Sequence, residues 1–95
     1  MTIPSAIQHM NLLSFQYDGF NRTVEPHTYG IVGKGHYAIR GYQTAGGSQS
    51  GEYVGWKLFL VSEMHGLSVL PRNFDVPRQG YTRGDKAFRI IFAQL

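Results

Sequence analysis

Ninety-five residues leave room for one domain with one small core, here read as spanning residues 1–95. Hydrophobic residues at 42% and charged residues at 16% exclude a disordered chain, and the absence of cysteine excludes a disulfide scaffold and every thiolate metal site. The formal charge of +3 lies wholly in residues 71–89, where Arg72, Arg78, Arg83, Lys86 and Arg89 face only Asp75 and Asp85.

The opening "MTIPSAIQHMNLL" has neither a basic start nor a continuous apolar run, and no stretch approaches the roughly 18 apolar residues of a membrane span. The expectation is a soluble cytoplasmic protein with no membrane contact. Ile3, Ile7 and Met10 fall at helical spacing, with Pro4 tolerable in a first turn, so residues 3–11 are predicted as one short amphipathic helix. Such a helix is too short to stand alone and must dock. "LLSFQY" then alternates as a half-buried strand does, and "DGFN" supplies a turn. "RTVEPHTYGIV" is a second strand whose Pro26 points to a sheet edge or a bulge.

After a turn at "GKG", the strands "HYAIRGYQ" and "GWKLFLV" carry apolar residues at both parities, which suits a strongly curved sheet covered on both faces. "TAGGSQSGEYV" is the polar loop between them, and "GLSVL" is a fifth strand. Residues 71–86, with two prolines and two glycines, read as an ordered wrap. "AFRIIFAQL" is apolar enough to be buried; it is read as a strand, with a short helix as the alternative. Together these elements predict a mainly β fold, a small antiparallel barrel of five to six strands with one short N-terminal helix.

Chemistry-bearing motifs are few. "GIVGKGH" lacks phosphate-loop spacing and sits between strands, so it reads as a tight turn. His9, His27, His36 and His65 form no metal-ligand pair, and no nucleophile elbow occurs, so neither an enzyme nor a cofactor is expected. Glu25 and His27 share a strand face, as a carboxylate-imidazole couple would, and are read as a surface or edge-strand pair. Arg83-Gly84-Asp85 spells an adhesion tripeptide, but common residues at about 6–7% each produce one by chance in roughly one such chain in forty.

More telling is the basic segment, in which Arg78, Arg83, Lys86 and Arg89 are interleaved with Phe74, Tyr81 and Phe88. Guanidinium groups pair with phosphate oxygens and aromatic faces stack on bases, so Arg72, Arg78, Tyr81, Arg83 and Lys86 are candidates for a nucleic acid or nucleotide-like anion. The alternative is that the arginines cap carbonyls and pair with Asp75 and Asp85. Arg40, Lys57 and Glu63 interrupt apolar strands and point either to water or to a recessed site. Tyr37, Arg40, Tyr42, Gln43, Trp56 and Lys57 make up that candidate ligand site. A small core and the apolar "FRIIFAQL" also suggest a homo-oligomer, and with it the alternative function of a structural or interaction protein that acts as an obligate homo-oligomer without a nucleic-acid ligand.

The short "AI" helix, "LSFQYDG", "RTVEPHTYG", "GHYAIRGYQ", "GWKLFLVSEMHGL" and "NFDVPR" occur in the order and spacing of the WYL domain, which the chain resembles over nearly its whole length. "VEPHTYG", "IRGYQ", "GWKLF" and "PRQGYTRGDKAF" are similar to small stand-alone bacterial members without a helix-turn-helix. The resemblance implies an Sm-like or SH3-like barrel that binds a nucleic acid or nucleotide-type ligand and regulates a partner. Leu60 and Glu63 stand where the family carries arginines, with Lys57, Arg40 and the C-terminal arginines as replacement charge.

Overall fold

A computed structural model describes residues 2–95. It contains a helix α1 (Ile3–Gln8) and six strands: β1 (Asn11–Tyr17), β2 (Phe20–Val32), β3 (His36–Gly46), β4 (Gly55–Leu60), β5 (His65–Asn73) and β6 (Phe88–Gln94). All pairings are antiparallel within one sheet of order β4-β3-β2-β1-β5, with β6 added on β2. The mainly β, antiparallel reading with one short helix therefore holds. No ladder joins β4 to β5, the ends of that path, among the described residues.

Helix α1 starts where Thr2 Oγ1 accepts the Ser5 N–H at 3.2 Å, with Pro4 in the first turn. It is shorter than the predicted 3–11, because Met10 takes φ +56° and turns the chain into β1. Asp18 and Gly19, both at positive φ, close the two-residue β1–β2 hairpin with the twist that favours such loops.

Strand β2 organises the sheet. Its first half pairs with β1, from Tyr17↔Phe20 to Leu13↔Val24, and its second half with β6, from Thr28↔Gln94 to Val32↔Phe88, while β3 runs along the other edge. Pro26 and His27 lie at the changeover, where the β2–β3 register shifts between Pro26↔Gly41 and Thr28↔Arg40. The expected bulge is present. The edge placement is not, since β2 is flanked on both sides. Pro71 also corrects the reading, because β5 runs through it to Asn73 and the wrap begins only at Phe74. β5 pairs with β1 alone, and an edge strand tolerates the missing N–H.

Alternation places the main core on one face: Leu13, Phe15, Val24, Ile39 and Phe59, capped by Ala6 of α1. Phe59 meets Phe15 and Tyr17 edge-on, with ring centroids 5.0 Å apart in each pair. On β3 and β4, Ala38 and Leu60 point to the opposite face, where they form a smaller cluster with Val32 and Phe88. That second face is the one the wrap covers.

Candidate functional site

Residues 74–86 form a strap fastened to the outer face of β2, β3 and β4 by a series of polar clamps. The Phe74 N–H donates to the Met10 carbonyl at 2.9 Å, and its ring stacks on His27 at 5.4 Å. The Arg78 N–H donates to His27 Nε2 at 3.0 Å, and the other ring nitrogen, Nδ1, lies 2.8 Å from the Glu25 carbonyl. These partners assign a neutral imidazole with its proton on Nδ1. Burial holds His27 below its ordinary pKa, outweighing the upward pull of the Glu25 carbonyl and carboxylate.

Glu25, 7% exposed, receives Arg78 through two bonds of 2.7 and 3.1 Å, and the same guanidinium lies 4.6 Å above the Tyr42 ring. Expected as a surface or edge pair, Glu25 and His27 are both buried. The reason is the strap, whose Arg78 reaches them from 51 and 53 residues downstream.

Trp56 donates its indole N–H to the Gln79 carbonyl at 3.0 Å. The next residue, Gly80, has φ +94°, and a Cβ there would lie 2.9 Å from that indole nitrogen, so the tight passage over the ring requires glycine. Beyond it, the Tyr81 hydroxyl and Arg83 Nη1 both donate to the Leu95 backbone oxygen, at 2.6 and 2.7 Å. The Gly84 N–H donates to Gln94 Oε1 at 2.8 Å. Arg40 Nε donates to Asp85 at 2.7 Å, and the Ala87 N–H to the other Asp85 oxygen at 2.9 Å. Burial pushes the Asp85 carboxyl up, but Arg40 and the Ala87 N–H outweigh it and hold the group below the usual carboxylate value.

Between strap and sheet lies an open cavity of about 510 Å³, lined by Arg40, Trp56, Tyr81, Arg83, Asp85 and Lys86 together with intervening strap backbone. Three cations and one carboxylate give the lining a formal excess of +2. Trp56 and Tyr81 lie nearly parallel, with centroids 6.5 Å apart. The tripeptide Arg83-Gly84-Asp85 is thus a wall of this cavity, and its carboxylate is already held by Arg40.

The cavity draws on both predicted sets, joining Arg40 and Trp56 to Tyr81, Arg83 and Lys86. Strand alternation separates the rest. Arg40, Tyr42 and Trp56 share the strap face, whereas Tyr37, Gln43 and Lys57 belong to the other face of β3 and β4. Gln43 is fully buried between Arg22 and the Gly47 carbonyl, Lys57 reaches Ser48 Oγ at 3.3 Å, and Tyr37 stacks on Phe92. Arg78 braces Glu25, and Arg72 is exposed on β5, away from the cavity. Asp85 and Gly80 were not anticipated as site residues. No group of three His, Asp or Glu side chains that could hold a metal occurs among the described residues, and no described helix is long and apolar enough to cross a membrane. No protein-family model, curated protein or solved structure matches the chain.

Proposed function

We propose that the chain is a binding module, without catalysis of its own, for a nucleotide-type anionic ligand seated between strap and sheet. The observation that carries this reading is the convergence of Arg40, Arg83 and Lys86 with Trp56 and Tyr81 on one concave surface. Guanidinium and ammonium groups match phosphate oxygens, and indole and phenol faces accept a base by stacking. The volume lies within the roughly 300–1,000 Å³ of small-molecule sites, so it suits a nucleotide or a short single strand. The resemblance to the WYL domain supports the same ligand class and a regulatory role in the bacterial cytoplasm; as a fold-level analogy it adds weight to the site but does not replace it.

Lys86 provides the test, because it is exposed and has no hydrogen-bonded partner among the described residues. A Lys86→Ala variant is expected to bind a short thymidine oligonucleotide more weakly. The slope of log affinity against log salt should become shallower by about 0.7, the contribution of one phosphate contact on a single strand. Unfolding stability should stay within about 0.5 kcal/mol of wild type. An unchanged salt slope would remove Lys86 from the site.

A second reading is favoured by a different surface. Tyr37, Ile90 and Phe92 are each 48% exposed, and Tyr37 stacks on Phe92 at 5.8 Å beside β6, whose outer edge carries no partner strand among the described residues. Exposed aromatics along a free edge suit a homo-oligomer paired through β6. Light scattering at micromolar concentration should then give a dimer or larger mass for the wild type and a monomer mass for Phe92→Glu. A wild-type monomer at every concentration would rule this reading out.

A further inference from the structure

His27 is 0% exposed, yet it is the residue on which the strap is hung. Its ring is enclosed by Trp56 from β4 at 4.6 Å and by Phe74 and Tyr81 from the strap at 5.4 and 5.2 Å. The charged and titratable groups around it are already engaged. Glu25 of β2 gives both oxygens to Arg78, the Arg78 guanidinium lies over Tyr42 of β3, and the Tyr81 hydroxyl donates to Leu95. Leu95, following β6, donates its N–H to the His27 carbonyl, and its backbone oxygen accepts from Tyr81 and Arg83.

A second proton on this ring would sit on Nε2, the atom that accepts the Arg78 N–H. Two donors would then face each other at 3.0 Å, next to the Arg78 cation, with both Glu25 oxygens already taken. An unmet buried donor and an added buried charge both destabilise the closed arrangement. In the open arrangement water solvates both.

We propose that His27 is a pH latch: the neutral ring holds residues 74–86 on the sheet, and protonation unseats them and dismantles the cavity they wall. The second consequence rests on reading that cavity as an anion site; the first does not. The lowered pKa of the closed form agrees in sign. With the released ring near its ordinary 6.5, the latch is complete above that value and weakens as pH falls below it, toward the pKa of the closed form. The direction is diagnostic, because acidification alone makes a cationic site more attractive to an anion of fixed charge.

Trp56 is the only tryptophan and sits inside the latch, so its fluorescence reports strap release. From about pH 7.5 to about pH 5, Trp56 emission should shift to the red while far-UV circular dichroism is unchanged. The same transition should persist when His9, His36 and His65 are all replaced with glutamine. A flat emission profile, a transition lost in that triple variant, or simultaneous loss of the strand signal would overturn the latch. A thymidine dinucleotide, whose phosphodiester keeps one charge over this range, should bind less tightly as pH falls, by at most about tenfold per pH unit for one linked proton. Affinity that rises on acidification would also overturn it. If the dinucleotide binds at no pH while Trp56 still shows its transition, the latch stands and the anion reading fails.

Discussion

Replacing Phe59 with alanine is expected to cost about 3–5 kcal/mol of stability. The ring is 1% exposed, meets Phe15 and Tyr17 edge-on, and sits under the Arg22 guanidinium at 5.7 Å. Arg22 is itself only 3% exposed, and its partners are the Gln43 side chain, the Tyr17 carbonyl and three aromatic rings rather than a carboxylate. Losing the Phe59 ring therefore removes core volume and one of the faces that compensate a buried cation. Against a typical total of about 5–15 kcal/mol, the loss takes much of the stability of a small domain. Urea unfolding checks it: the midpoint should fall sharply with the slope unchanged. A loss below about 1 kcal/mol would mean that the ring is not central to the core.

Gly30→Ala is expected to be comparably severe and to reach the candidate site as well. A Cβ at residue 30 would lie 2.0 Å from the Ile90 carbonyl oxygen, which is backbone and cannot rotate away. Strand β6 must shift off β2 to make room, weakening the ladder from Thr28↔Gln94 to Val32↔Phe88. The end of β6 grips the strap, because Leu95 accepts from Tyr81 and Arg83 and Gln94 accepts from Gly84. Hydrogen exchange should show loss of protection first in 88–94, and affinity for a thymidine oligonucleotide should fall with it. Retained β6 protection would show that the sheet absorbs the methyl group elsewhere.

Much of this architecture is legible in local sequence. Period-two alternation in "LLSFQY", the Asp18-Gly19 turn and the proline beside a bulge all depend on near neighbours, and each appears where expected. Parity along β3 and β4 carries more information than the predicted ligand set used, since Trp56 and Lys57 are adjacent and so cannot share a face. The strap is a different matter. The bonds from Arg78 to Glu25 and His27 and from Asp85 to Arg40 join residues 45 to 53 positions apart, and no local pattern specifies which arginine meets which carboxylate. For the same reason Glu25 and His27, which share the strand face expected of them, are sealed by a segment whose path cannot be read from β2 alone.

Entry of a nucleotide-type anion into the cavity between strap and sheet can be read at the Trp56 indole N–H, which lies in its wall. As the only tryptophan, Trp56 gives a single resolved resonance in a ¹H–¹⁵N correlation spectrum. Titration with a short thymidine oligonucleotide at low salt and neutral pH should move that resonance saturably, and added salt should return it toward its free position. A Trp56 resonance that stays still, whether no other signal moves or only signals remote from the strap do, would mean that no such ligand enters the cavity.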